Sequence, residues 1–309
     1  MKAPAQKRPE NQKALVVIAG PTGVGKSSLS LRLALHFRTA ILSADSRQLY
    51  QGLDIGTAKP PISIQRQVKH FFINHVSVGT PYSAAQFELE ALNVLQRLFK
   101  MKNIAILCGG TGLYIRALCH GLDPVPTVPI AIREQIERQF LKRGLVWLQS
   151  EVKRLDPDYF QITETDNPRR LIRALGVCEV SGKPFSGFLS GTRKDRPFSI
   201  ISILLMMDRS TLYKELDKRV DHMVDSGWES EARKWYPFRD QPGLQTVGYN
   251  EWFLYFDGEI SKDAAIEKIK INTRRYAKRQ LTWFRKYGDW NEFHPDDFEG
   301  IVHYIENQQ

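Results

Sequence analysis

Apolar residues fall into short unbroken runs separated by stretches with helical spacing. Ala14-Leu15-Val16-Val17-Ile18-Ala19, Ala40-Ile41-Leu42-Ser43-Ala44 and Ile104-Ala105-Ile106-Leu107-Cys108 are continuous enough for strands buried on both faces. Between them lie amphipathic stretches. Leu29, Leu31, Leu33 and Leu35 follow the first run, and Phe87, Leu92, Leu95 and Leu98 precede the third. Ser83-Ala84-Ala85-Gln86 reads as the capping box that opens the second of these helices. Phe71 to Val76 reads as a further strand. Strands alternating with helices predict an α/β fold built on a parallel sheet.

That alternation is interrupted once. The stretch Gly121 to Pro129 holds Pro124, Pro126 and Pro129 and marks a boundary. From residue 130 to about 196 the pattern is helical, with no good strand. The strand pattern resumes at Phe198-Ser199-Ile200-Ile201-Ser202-Ile203-Leu204-Leu205. Residues 14–122 and 197–309 therefore read as one α/β core, and residues 123–196 as a smaller all-helical domain inserted into it. Residues 1–13 are polar, with Pro4 and Pro9, and read as a disordered tail. A helix bracketed by Arg209 and Arg219 follows the returned strand, and a long helix runs from Ser261 to about Tyr287.

Composition narrows the class. The chain has 309 residues, 42% of them hydrophobic and 25% charged, as in a soluble globular protein. No apolar run reaches the roughly 18 residues of a membrane span, so no membrane is expected. Cys108, Cys119 and Cys178 form no CxxC pair, and Cys108 and Cys178, in apolar settings, read as reduced core thiols, which fits the cytoplasm. His70 and His75 lack metal-ligand spacing. The net charge of +10 and the pI of about 9.4 change the picture, because they suit a polyanionic partner. The charge is clustered. From Lys268 to Lys286 there are eight basic residues and no acidic one, interleaved with Tyr276, Trp283 and Phe284. Basic residues mixed with aromatics predict a nucleic-acid surface.

The chemistry starts at Gly20-Pro21-Thr22-Gly23-Val24-Gly25-Lys26-Ser27, a glycine loop between a strand and a helix. This is the setting of a phosphate-binding P-loop. Glycines let backbone N–H groups converge on an anion, and the helix start adds its positive dipole end. Lys26 supplies an ammonium for phosphate, and the Ser27 hydroxyl is a candidate Mg²⁺ ligand. Asp45 follows the second strand, which brings it beside that loop. The third strand ends in Gly109-Gly110-Thr111-Gly112 rather than in the acidic residue of a P-loop ATPase. Those glycines are expected to let the backbone approach a ligand, with Thr111 at the mouth of the site.

Taken together these strings resemble the tRNA dimethylallyltransferase (tRNA isopentenyltransferase) family. The matching strings are Gly20 to Ser27, Ser43 to Ser46, Gly56 to Pro60 and Gly109 to Tyr114, followed by Asn167 to Leu175, Val247-Gly248-Tyr249 and Lys278 to Arg285. The resemblance implies a P-loop NTPase-like parallel sheet core with an inserted helical, tRNA-binding domain. It implies transfer of a dimethylallyl group from dimethylallyl diphosphate, with Mg²⁺, to N6 of the adenosine just 3′ of the anticodon. Asp45 would be the general base, assisted by Thr111 and Arg219. Contacts with the anticodon stem-loop of tRNA would come from several segments. The first are Asp45, Ser46, Arg47 and Gln48, with Thr111 and Arg133. Next are Arg169, Arg170, Leu171, Ile172 and Arg173, and then Gln245, Thr246, Val247, Gly248 and Tyr249. The last are Lys278, Arg279, Gln280, Leu281, Thr282, Trp283, Phe284 and Arg285. Ser27 stands where threonine is commoner, and Gly176 where glutamate is usual. The sequence shows no C-terminal zinc-finger pattern, so it resembles the bacterial form, expected to act as a monomer. Three other readings are a P-loop small-molecule kinase, an isopentenyltransferase acting on free adenine nucleotide, and a non-catalytic RNA-binding ATPase. None of the three accounts for the P-loop, the glycine-ended third strand and the basic aromatic helix together.

Overall fold

A computed structural model describes residues 13–308. The tail expected over residues 1–13 lies, Lys13 aside, outside the described residues. In chain order the elements begin β1 (Ala14–Ala19), α1 (Lys26–His36), β2 (Ile41–Ser43), α2 (Ile62–Gln67), β3 (His70–Phe71) and α3 (Ala84–Leu98). They continue β4 (Ile104–Gly109), α4 (Gly112–His120), α5 (Ile130–Leu155), α6 (Pro157–Ile162) and α7 (Pro168–Ser181). The rest are β5 (Ser199–Leu205), α8 (Arg209–Asp225), α9 (Trp228–Trp235), α10 (Tyr249–Phe256), α11 (Lys262–Lys286), β6 (Asn291–Phe293) and α12 (Phe298–Asn307).

The described residues up to His120, with those from Asp195 onward, form one compact unit. Its sheet is six-stranded and parallel throughout, in the order β3-β2-β4-β1-β5-β6. β1 is central, and all six of its residues are buried, as its unbroken apolar run requires. The Ser83–Gln86 capping box forms in both directions at the start of α3. α11 begins behind the N-cap Ser261, whose side chain accepts from Ala264 N.

Two features differ from the sequence reading. The strand expected over residues 71–76 shrinks to His70–Phe71 and one bridge between Tyr50 and Val76. Phe72 and Asn74 adopt φ of 64° and 52°, and left-handed residues cannot continue a ladder. β6 and α12, which the pattern did not reveal, extend the sheet edge and bury Ile301, Val302 and Ile305 in the core.

Gly121–Lys194 form the second unit, which is helical. α5 and α7 pack around Ile136, Leu148, Val152, Leu171 and Leu175. α5 breaks at Gly144, whose φ is 77°. Asp156 is fully buried and accepts from the N–H groups of Tyr159 and Ser186 and from the Ser186 hydroxyl. Gly176 lies against Val128, where an added Cβ would stand 2.9 Å from Val128 Cγ1. Its place in the buried face of α7 is therefore one of close packing.

Candidate active site

In a parallel sheet, ligand clefts form beyond the carboxyl ends of the strands. Here β1, β2 and β4 end around a pocket of about 580 Å³. The loop from Gly20 to Gly25 joins β1 to α1, and Gly25 caps the helix with φ 96° and no side-chain cap. An L side chain rarely adopts that angle. The Lys26 ammonium donates to the carbonyls of Gly20 (2.9 Å) and Pro21 (2.7 Å). Burial pushes its pKa down to about 8, against the pull of Cys108 and Asp45 and together with the push of Arg219. The Ser27 hydroxyl belongs to a residue that lines the pocket.

Asp45 also lines the pocket, whereas Thr111, expected at its mouth, does not line it and instead braces the turn that carries Asp45. Asp45 Oδ1 accepts from the N–H groups of Arg47 (2.8 Å) and Gln48 (3.3 Å), which turns the chain sharply after β2. Thr111 Oγ1 accepts from Ser46 N (3.0 Å), and Thr111 N donates to the Ala44 carbonyl (3.0 Å). The ends of β2 and β4 are thereby locked together. Gly109 permits this, since a Cβ there would stand 2.2 Å from the Ala44 carbonyl oxygen.

The remaining walls come from two helices. α8 brings Arg219, whose pKa is lowered by burial, against the pull of Asp45. α11 brings Tyr276 and Gln280. Tyr276 is pushed up to about 12, first by burial and then by Asp45, with Arg47 and Arg279 opposing. Three cations (Lys26, Lys59 and Arg219) line the pocket with two carboxylates, Asp45 and Glu215. Lys59 is committed elsewhere, donating to Asp54 Oδ1 (2.9 Å) and Asn74 Oδ1 (2.6 Å). Lys26 and Arg219 are therefore the cations placed to meet an anion.

The structure revises several expectations. Gly109 and Gly110 line the pocket as expected, but the glycines after β4 also seat protein. A Cβ on Gly110 would lie 2.2 Å from Gln280 Nε2, and one on Gly112 would lie 2.2 Å from the Trp283 ring. Cys108 packs against the core as a free thiol but is not enclosed by it. It is half-buried and lines the pocket, where burial raises its pKa and keeps it protonated. Phe284 is fully buried with its ring edge-on to Trp290, so it is not available to stack on a base. Leu171 and Tyr249 are likewise buried and offer no side-chain surface to RNA, and Gln280 is buried where it lines the pocket.

On α11, beyond Lys262, which pairs with Glu229 at 2.9 Å, the exposed cations are Lys268, Arg275, Lys278, Arg279, Arg285 and Lys286. Lys270 and Arg274 are instead paired with Asp221 (2.7 Å) and Asp217 (2.9 Å) of α8. In the helical unit, Arg169, Arg170 and Arg173 are exposed at the start of α7, and Arg133 forms an exposed pair with Glu137 at 2.8 Å. Gln245 is exposed, Thr246 and Val247 are half-buried, and Gly248 is buried ahead of α10. Among the described residues no group of three or more His, Cys, Asp or Glu could hold a metal ion, and no helix is long and apolar enough to cross a membrane.

Sequence reasoning missed Glu231. Its carboxylate accepts from the N–H groups of Asp54 (2.8 Å), Ile55 (2.9 Å) and Gly56 (2.9 Å), and from the Tyr249 hydroxyl (2.5 Å). It thereby anchors the loop that carries Lys59. A lone glutamate in a surface helix gives no signal of such a role.

Residues 48–287 match the family model described as IPP transferase. A tRNA dimethylallyltransferase 1 of Phocaeicola vulgatus is 46% identical, over 94% of this chain and 97% of its own length. Another of that name from Bacteroides fragilis is 44% identical, over 95% and 98%. Among solved structures, the tRNA isopentenylpyrophosphate transferase of Bacillus halodurans superposes with a TM-score of 0.69 at 33% identity, covering 96% of this chain and 95% of its own. A eukaryotic dimethylallyltransferase acting on tRNA superposes with a TM-score of 0.79 at 26% identity, covering 96% and 77%. The family match spans the loop after β4, the pocket arginine and the basic helix, and the identities hold across nearly the whole chain, so the protein belongs to the IPP transferase family.

Proposed function

We propose that this protein transfers a dimethylallyl group from dimethylallyl diphosphate to N6 of the adenosine 3′-adjacent to the anticodon of tRNA. One observation carries the reading: a phosphate cradle and a carboxylate share one pocket, and the helix that walls it turns an exposed basic face outward. The names of the similar proteins support tRNA as the acceptor.

The chemistry follows from the groups present. The N6 amine forms a bond to the first carbon of the donor as the bond from that carbon to diphosphate oxygen breaks. The nitrogen must lose a proton, and of the pocket's two carboxylates Asp45, at the strand ends beside the phosphate loop, is the one that takes it. Its Oδ1 is held by two backbone N–H groups, which fixes the carboxylate's orientation. Thr111 steadies the same turn through Ser46. The loop amides, Lys26 and Arg219 hold the departing diphosphate and stabilise its growing charge. The target adenine must leave its stack to reach the pocket, which the exposed cations of α11 and of the helical unit would favour by gripping the backbone.

The donor set suits Mg²⁺. The Ser27 hydroxyl is a hard oxygen donor on the pocket, and Mg²⁺ is usually held by one or two protein oxygens, substrate phosphates and water. When bound, the ion would neutralise diphosphate charge. We read the protein as a monomer, and a tRNA acceptor fits the cytoplasm.

The test is to supply labelled dimethylallyl diphosphate or labelled ATP, with Mg²⁺, in the presence of bulk tRNA or of free adenine nucleotide. Label from the diphosphate should enter tRNA alone. Label passing from ATP to a small molecule would make the protein a kinase. Label entering free nucleotide in preference to tRNA would overturn the acceptor.

A further inference from the structure

α11 has two working faces. Tyr276 and Gln280, four residues apart, line the pocket, and Trp283, three residues further on, packs against Gly112 in the loop after β4. Lys278, Arg279 and Arg285 lie on exposed faces. On the inner face, the Gln280 amide is used at both ends. Its Oε1 accepts from Thr22 N in the phosphate loop at 2.9 Å, and its Nε2 donates to the Gly110 carbonyl in the loop after β4 at 3.0 Å. The side chain is only 7% exposed, and both partners are far from it in sequence. A planar amide bonded at both ends fixes the separation of its two partners. Gly110 is needed for it, because a Cβ there would fall on Gln280 Nε2.

We propose that Gln280 is a positioning residue for the transfer step. Resting on the function proposed above, it acts through the two loops it joins. One loop cradles the diphosphate. The other carries Thr111, which holds the Asp45 turn through Ser46. The amide thus sets the distance from donor carbon to acceptor amine and base, without touching either substrate. Displacements near 1 Å in such an arrangement cost on the order of a hundredfold in rate.

The experiment compares wild-type protein with Gln280→Met, which keeps the shape and loses both bonds, and with Gln280→Glu, which keeps the acceptor for Thr22 N and loses the donor to Gly110. Affinities for Mg²⁺-pyrophosphate and for tRNA should stay within about threefold, while single-turnover transfer falls about a hundredfold in the methionine variant and less in the glutamate variant. Hydrogen exchange at the Thr22 amide should quicken at least about tenfold in Gln280→Met, with the β1 and β4 amides unchanged. Should the methionine variant not fold, Gln280→Glu carries the same comparison. A full transfer rate, or a rate loss matched by equal losses in both affinities, would overturn the positioning role. A wild-type protein with no transfer activity would contradict the proposed function instead. The joining role then stands or falls on Thr22 exchange alone, and unaltered exchange would overturn it.

Discussion

The loop after β1 and the loop after β4 stand on neighbouring strands and are both rich in glycine, yet they use it differently. In the first, Gly20, Gly23 and Gly25 have positive φ, and the backbone curls around a space that Lys26 lines. In the second, Gly109, Gly110 and Gly112 keep ordinary φ values, and each is needed because another part of the protein occupies the position of its Cβ. A Cβ at Gly20 or Gly23 would also meet protein, so what sets the first loop apart is its positive φ. The second, though Gly109 and Gly110 line the pocket, is chiefly a seat for β2 and α11. A run of glycines in a sequence signals close approach. It does not say whether a ligand or the protein itself approaches.

The contrast can be broken most severely at Lys26. Lys26→Ala should cost about 2–4 kcal/mol of transition-state stabilisation, read as the fall in kcat/KM for the diphosphate, because it removes a charge-assisted hydrogen bond to a leaving group. Normal donor affinity and turnover would take the first loop out of the mechanism.

A smaller effect sharpens the contrast at the glycines. Gly109→Ala and Gly109→Asn should destabilise the protein alike, by about 1–3 kcal/mol in chemical denaturation, since either Cβ meets the Ala44 carbonyl. Gly25→Asn should instead be milder than Gly25→Ala, because asparagine tolerates left-handed φ. Equal losses for the pair at Gly25 would mean that space, not φ, limits that position.

The basic helix tests the outward side of the seat. Arg275, Lys278 and Arg279 replaced together by alanine should lower the dependence of log tRNA affinity on log salt by up to about three, one for each phosphate left without its cation, and leave pyrophosphate affinity unchanged. Arg274 is kept out of this variant because its pair with Asp217 joins α11 to α8. An unchanged salt slope would reduce these residues to a solvated face.

The gentlest probe is pH. The Lys26 ammonium titrates at about 8, below the 10.5 of an ordinary lysine. Pyrophosphate affinity should therefore weaken as pH rises through 8, by roughly tenfold per unit at most, because the cation that meets the anion is being neutralised. Stability of the ligand-free protein moves the other way. Between 8 and 10.5 the unfolded chain holds more protons at this site, so this residue's share of stability rises with pH. Calorimetric titration with Lys26→Met should show the affinity slope gone.

Much of the fold and part of the site are legible in the sequence. Buried strands announce themselves through unbroken apolar runs, and β1, β4 and β5 lie within a residue of their expected limits. The phosphate loop is readable because its residue types are dictated by local backbone and charge. β6 is not legible, since Asn291-Glu292-Phe293 is a polar edge with no apolar run. The inward face of α11 is also hidden. Lys278-Arg279-Gln280 reads as a polar stretch, and only long-range packing assigns Gln280 to two distant loops while Phe284 turns into the core. Lys270 and Arg274 look free in the sequence for the same reason: their acidic partners lie on α8, far earlier in the chain.

The central claim is that a phosphate cradle here serves carbon chemistry, with Asp45 as the base. Asp45→Asn tests it most directly, in single-turnover transfer at saturating tRNA and dimethylallyl diphosphate across a Mg²⁺ titration. The account predicts near-normal binding of both substrates and transfer slowed by about 10²–10⁴-fold at every Mg²⁺ concentration. Weakened diphosphate binding, with activity recovered by excess Mg²⁺, would contradict it and make Asp45 a metal ligand.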